Sequence, residues 1–209
     1  RFIHAVPGLA ALDVFANDTK MFVETRYKAV TPYSEVSADD QVFRLRLAGQ
    51  EGAEPLAEEK KGLSAGSHYT LIAVPRNATA IFSKNTGQSS AELHSISDVL
   101  VAPASGKAKV RVIDASPDLS EVDIYVSGRT EALSKGVKFA SRTNYAEVEP
   151  VQGVIEVRRA GENAATLNVP DVQLEAGKLY TIIVVGQTKG TAKLESIIVE
   201  DHFGMSSPK

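Results

Sequence analysis

Apolar and polar positions alternate along most of this chain with the period of a β-strand. In Val42-Phe-Arg-Leu-Arg-Leu47, Val42 shares one face with Arg44 and Arg46, and Phe43 shares the other with Leu45 and Leu47. Such a strand has one buried and one wet face. Val110-Arg-Val-Ile113, Val122-Asp-Ile-Tyr-Val126, Val154-Ile-Glu-Val-Arg158 and Tyr180-Thr-Ile-Ile-Val-Val185 are short runs rich in β-branched and aromatic residues. Gly, Pro, Ser and Asp turn signals separate them, the pattern of a sandwich or barrel. Asn17-Asp18 and Ser127-Gly128 fall at hairpin-turn positions, Asp39-Asp40 reads as a hairpin corner, and Glu54 to Lys61 as a solvated hairpin. Only Asp118 to Val122 and Leu133 to Val137 hint at a helical turn, so helix is minor.

The pattern occurs twice. Arg1-Phe-Ile-His-Ala-Val-Pro-Gly-Leu-Ala-Ala-Leu-Asp-Val-Phe returns without a gap as Arg111-Val-Ile-Asp-Ala-Ser-Pro-Asp-Leu-Ser-Glu-Val-Asp-Ile-Tyr. Arg1/Arg111, Ile3/Ile113, Ala5/Ala115, Pro7/Pro117, Leu9/Leu119 and Asp13/Asp123 are identical. Tyr33-Ser-Glu-Val36 matches Tyr145-Ala-Glu-Val148, and Ala65-Gly66 to Thr70 matches Ala176-Gly177 to Thr181. Leu93-His-Ser95-Ile96 sits beside Leu194-Glu-Ser196-Ile197. The first copy carries extra residues around Lys84 to Ala91, in a loop, where insertion is tolerated. The expectation is an all-β chain: two tandem Ig-like antiparallel β-sandwich domains from an internal duplication. Repeat 1 spans residues 1–101, a linker 102–107, repeat 2 residues 108–203, and a tail 204–209.

The length of 209 residues suits two domains of about 100 residues each. A net charge of −3 supplies no basic field for nucleic acid. The longest apolar runs are strand-length, far short of the ~20 residues that span a bilayer. The absence of cysteine removes disulfides and thiol chemistry. Arg1 opens directly in a strand pattern, which reads as a mature or trimmed chain whose targeting segment has been removed.

One further signature is specific. An Arg-Val-x-x-Ala-Ser-Pro-Asp strand and turn precedes a strand of hydrophobic-Asp-hydrophobic-Tyr-Val with a Gly turn. A late Ala-Gly-x-x-Tyr-Thr then leads into an apolar strand. Arg111 to Gly128 and Ala176 to Val185 carry it nearly verbatim, and Arg1 to Asp18 and Ala65 to Val74 carry a looser copy with Val6 and Gly8 in the turn. In this the chain resembles the domain-of-unknown-function 4397 family. The resemblance implies tandem β-sandwich domains of bacterial, mostly exported proteins (periplasmic, cell-surface or secreted), and no activity.

Candidate chemistry is sparse. Asp13 and Asp123 are acidic residues within apolar strands. One reading makes each a ligand or calcium carboxylate; the favoured one has it accept backbone N–H groups from the adjacent Pro-containing turn. Neither copy has the spaced Asp/Asn ladder that calcium needs. The histidines His4, His68, His94 and His202 do not recur between copies and form no zinc-type pair. Tyr33, Tyr145, Tyr69 and Tyr180 do recur. They offer sugar stacking or, more simply, rings on the core with hydroxyls tied to loops, as in a tyrosine corner. No nucleophile elbow or phosphate loop is present.

The expected role is therefore a non-enzymatic, exported or cell-envelope binding or structural module, adhesion-like, acting through loops or strand edges. It has no cofactor, no catalytic residue and no metal site, and its partner is a protein or envelope polysaccharide. The alternative is a carbohydrate- or metal-binding accessory domain of a larger surface protein. A hydrolase would need a cleft with two carboxylates of opposed pKa shift.

Overall fold

A computed structural model describes residues 1–77, 91–190 and 192–202. The chain divides between Asp98 and Val99 into two compact units. Among the described residues both are built of strands without helix.

The first unit holds β1 (Phe2–His4), β2 (Leu12–Ala16), β3 (Thr19–Thr25), β4 (Asp40–Leu47), β5 (Ala57–Gly62), β6 (His68–Pro75) and β7 (Ala91–Asp98). Its sheets have the orders β1-β6-β7 and β3-β2-β4-β5. The second unit holds β8 (Ala108–Asp114), β9 (Glu121–Val126), β10 (Ala132–Lys138), β11 (Ala146–Val148), β12 (Val151–Arg159), β13 (Ala165–Leu174), β14 (Leu179–Val185) and β15 (Glu195–Asp201). Its sheets are β11-β8-β14-β15 and β10-β9-β12-β13. Each unit is thus a two-layer sandwich. In the first, Phe2, Leu12, Val14, Leu45 and Leu71 meet between the layers; in the second, Val112, Val122, Ile124, Ile155 and Ile182 do. Burial in β4 follows the predicted alternation, with Gln41, Phe43 and Leu45 buried and Val42, Arg44 and Arg46 half-buried.

Four expectations need correction. The sheets are mixed, not purely antiparallel: β1 runs parallel to β6 with Ile3 opposite Ile72, and β8 parallel to β14 with Ile113 opposite Ile183. Alternation reports which face is buried, not the direction of the neighbouring strand. Glu54 to Lys61 is no free hairpin, because Ala57–Gly62 forms β5 on the edge of β4. The helical hints are not helix: Asp118 lies in a turn that leads into β9 at Glu121 and Val122, and β10 covers Leu133 to Val137. There a bulge between Ser134 and Val137 interrupts the alternation and mimics a longer period.

The last correction concerns register. Thr70 faces Ile96 and His68 faces Asp98, whereas Thr181 faces Val199 and Leu179 faces Asp201. The equivalent of Asp98 is therefore Asp201, and His94 corresponds to Ile197, not Glu195. Pairing Leu93–Ile96 with Leu194–Ile197 is two residues out. A slip of two keeps every side chain on its own face, so the apolar pattern cannot detect it.

Candidate functional site

The parallel pairing of β8 and β14 sets Arg111 beside Thr181, and β15 brings Asp201 to the same place. Arg111 is 2% exposed, Thr181 0% and Asp201 2%. The Arg111 Nε donates to Thr181 Oγ1 at 2.8 Å. That hydroxyl in turn donates to Asp201 Oδ2 at 2.5 Å, and Tyr145 donates its hydroxyl to the same oxygen at 2.6 Å. The Arg111 guanidinium lies 4.7 Å from the centroid of the Tyr145 ring. Each group has the role its chemistry permits: arginine only donates, threonine accepts and donates, and the carboxylate only accepts. Burial pushes the Tyr145 hydroxyl well above its ordinary pKa; Arg111 opposes the rise and the Asp201 charge adds to it, so the hydroxyl stays a donor.

The first unit repeats the arrangement. Arg1 Nε donates to Thr70 Oγ1 at 2.8 Å, Thr70 to Asp98 Oδ2 at 2.6 Å, and Tyr33 to the same oxygen at 2.7 Å. Arg1 stands 4.9 Å from the Tyr33 ring centroid. Tyr33 and Tyr145 thus cover a buried arginine–threonine–aspartate chain and tie their hydroxyls to strand-end carboxylates, which corrects the expectation of a loop partner. Tyr69 and Tyr180 do bond to loops: their hydroxyl oxygens accept the N–H groups of Ser64 at 3.0 Å and Glu175 at 3.1 Å.

Asp13 and Asp123 are 1% and 7% exposed. Asp13 Oδ1 accepts the Glu24 N–H at 2.8 Å, and Oδ2 accepts Lys20 Nζ at 2.8 Å and the Gly49 N–H at 3.3 Å. Burial alone would raise the Asp13 pKa, but Lys20, Glu24 and Gly49 outweigh it and hold the carboxyl below its ordinary value. Asp123 Oδ1 accepts the Gly136 N–H at 2.8 Å. Glu24 and Gly136 sit at the bulges of β3 and β10, with φ of 46° and 66°. The repeated aspartate therefore clamps the bulge of the neighbouring strand, not the Pro-containing turn. A bulge leaves an N–H outside the ladder, and a carboxylate one strand away is placed to take it.

The copies differ at the turn after the first strand. In the second, Asp118 Oδ2 accepts Thr188 N at 2.8 Å, Thr188 Oγ1 at 2.6 Å and Lys189 N at 3.2 Å. Arg159 reaches the Asp118 carbonyl at 3.3 Å, and the Ser116 hydroxyl lies 2.9 Å from the Gly186 carbonyl. Gly186 has φ of 86°, and a Cβ there would fall 2.0 Å from the Lys193 carbonyl oxygen, so only glycine fits this closure. Burial would raise the Asp118 pKa, yet its Thr188, Lys189 and Ser116 donors hold it down. Asp114 beneath it is 0% exposed; burial, reinforced by the Asp118 charge and opposed by the Ser116 N–H, raises its pKa to about 8. Two carboxyls of opposed shift thus meet here, but one is sealed and the other is filled by protein donors.

The model of the family described as Domain of unknown function (DUF4397) matches residues 1–125 and 108–208. The chain belongs to this family. The C-terminal domain of AlgF from P. aeruginosa is a solved structure similar to it, at 22% identity and a TM-score of 0.35, covering 46% of this chain and 99% of that one. No curated protein matches the chain.

Within the DUF4397 frame the sequence-predicted positions do not converge. Asp13 and Asp123 lie at bulges, Tyr69 and Tyr180 at loops, and Tyr33 and Tyr145 over the buried arginines. His68 packs edge-on to Tyr33 with centroids 5.1 Å apart, while His94 and His202 stand 3.4 Å from Glu92 and 3.6 Å from Glu200. Among the described residues no group of three His, Asp or Glu side chains is arranged to hold a metal. The residues that sequence reasoning missed are Thr70/Thr181 and Asp98/Asp201. A repeated Thr directly after Tyr69 and Tyr180 was in view; the repeated Asp needed the correct register.

Proposed function

We propose that this chain is a non-enzymatic binding or structural module of an exported or cell-envelope protein, adhesion-like, that meets a protein or envelope polysaccharide through its loops and strand edges. The observation that carries this reading is how the shared polar residues are used. The arginine, threonine, aspartate and tyrosines present in both units bond to other parts of their own unit, so duplication has kept a frame. What the copies do not share is the turn after the first strand, Val6-Pro7-Gly8 in one and Ser116-Pro117-Asp118 in the other. Loops on a rigid sandwich are where recognition is placed. The sealed Asp114 and the filled Asp118 speak against hydrolytic use of that pair. The exported setting rests on the resemblance to the family.

The test is a thermal-shift screen with calcium, zinc, envelope polysaccharides, peptidoglycan fragments and envelope protein fractions, alongside assays for turnover of the same glycans. A ligand that binds only the folded state adds about 2.7 kcal/mol at a hundredfold excess over its dissociation constant. A saturable shift without turnover is expected. Turnover abolished by Asp114→Asn or Asp118→Asn would overturn the reading.

A further inference from the structure

We propose that His4 is an acid-released latch on the turn that ends the first strand of unit one, a device the second unit lacks because Asp114 stands in its place. His4 is 0% exposed. Its Nδ1 accepts the Val6 N–H at 3.2 Å, and its Nε2 lies 3.2 Å from the Ala10 carbonyl oxygen. These partners fix one neutral tautomer, with Nε2 donating and Nδ1 accepting. A second proton would have to occupy Nδ1, where the Val6 N–H already points. Protonation therefore breaks this bond and frees Val6, which is 1% exposed and packed in the core.

The surroundings oppose the charged form. No side chain of the turn from Ala5 to Ala10 titrates, and the strand partner across β6 is Ala73. From the remaining side come the Tyr27 ring, 6.1 Å from the imidazole, and Lys28, whose backbone N–H donates to the His4 carbonyl at 2.8 Å. Burial lowers the His4 pKa to about 4, with the Ala10 carbonyl the counterweight.

In the second unit the same bond, two residues along the chain, runs from the Ser116 N–H to Asp114 Oδ1 at 2.9 Å. A protonated carboxyl still accepts through its carbonyl oxygen, so acid leaves that turn closed. A histidine with a depressed folded pKa contributes stability that is complete above its ordinary 6.5 and is lost as pH falls toward 4.

Amide exchange of the intact chain, corrected for intrinsic rates, tests the latch. Between pH 7 and pH 5 the protection of Val6 is expected to fall roughly twentyfold, while that of Ser116 does not fall. The variant His4→Asn, which keeps an acceptor but does not titrate, is expected to abolish the fall at Val6. Equal loss at Val6 and Ser116, unchanged protection at Val6, or an imidazole titrating at 6.5 or above by NMR would each overturn the proposal. The exchange and NMR readings on the unmodified chain decide it even where His4→Asn does not fold.

Discussion

In the first unit Val6 drops into the core after β1; in the second Ser116 occupies that position and points its hydroxyl at the Gly186 carbonyl. Between the sheets the units also close differently. Ser95 of β7 bonds Glu59 of β5 at 2.7 Å in the first, whereas Ile198 of β15 and Val169 of β13 pack on the core of the second. The strand that precedes each turn, by contrast, repeats the same buried arginine, with its threonine-hydroxyl bridge to an aspartate and its tyrosine cover. This contrast separates the groups the fold requires from those it leaves free. A buried charge must keep its partner, so the Arg–Thr–Asp set is held through duplication, while a turn with apolar or polar solutions of similar worth is free to diverge.

The largest effect is expected at that shared set. Arg111→Met leaves Asp201 as an uncompensated buried charge and should cost about 3–5 kcal/mol, read by urea unfolding with hydrogen exchange resolving the two units. Arg1→Met should cost less, since Arg1 and Asp98 are each 7% exposed against 2% for Arg111 and Asp201. The double variant Arg111→Met with Asp201→Asn should recover part of the loss. A double variant as unstable as the sum of the singles would show that the groups do not act as one network.

The next effect separates the turns. Asp114 is kept neutral by burial in the folded unit, with a pKa of about 8, but ionises near 3.9 once unfolded. Between those values the folded state holds the extra proton, so the stability of the second unit should decline as pH rises from about 4 to 8. Asp114→Asn removes that dependence and should stabilise the unit by about 1–3 kcal/mol at pH 7. Unfolding midpoints across pH 4 to 8 check it; a slope unchanged by the substitution would exclude Asp114 as its source.

How much of this the sequence carried depends on which residue is asked. Strand positions and the duplication were legible, because period-2 burial in β4 and a gapless repeat of fifteen residues are both local signals. The parallel pairing of β1 with β6 was not, since no side chain encodes the direction of its neighbour. Asp98 and Asp201 were hidden by a two-residue slip that preserves alternation. Asp13 and Asp123 were singled out and read as backbone acceptors, but assigned to the wrong donor. The bulge that supplies the N–H comes from an irregular pairing, and Glu24, unlike Gly136, gives no glycine to mark it.

The two aspartate clamps should differ in the measure of their donors. Asp13→Asn should cost about 1–3 kcal/mol, because it weakens bonds to two backbone N–H groups and to Lys20. Asp123→Asn, with a single backbone donor, should cost about 1 kcal/mol. The Asp13 contribution has its own pH signature: a carboxyl with a depressed folded pKa stabilises above its ordinary value and loses that stability as pH falls through the folded one. The gap between the unfolding midpoints of the wild type and Asp13→Asn should therefore be full at pH 7 and close as pH falls below about 4. Equal losses for the two variants at pH 7 would mean that the extra donors on Asp13 add nothing.

The smallest effect lies at the bulges themselves. Both take a residue with positive φ, and the second unit meets this with Gly136 while the first uses Glu24. A left-handed conformation costs a non-glycine residue roughly 1–2 kcal/mol, partly offset by the greater freedom glycine loses on folding, roughly 0.5–1 kcal/mol. Glu24→Gly should therefore stabilise the first unit by about 0.5 kcal/mol, with the Asp13 clamp intact. The reverse change, Gly136→Ala, takes on the strain and also brings a Cβ to 2.8 Å from Glu121 Oε1. That carboxylate is the far end of a flexible side chain and can move, so the loss should stay near 1 kcal/mol rather than the larger value a backbone clash would bring. Opposite signs for the two substitutions, measured by thermal unfolding, would establish the bulge as one element met by two residues. Destabilisation by both would mean that the Glu24 side chain has a role its backbone angle does not reveal.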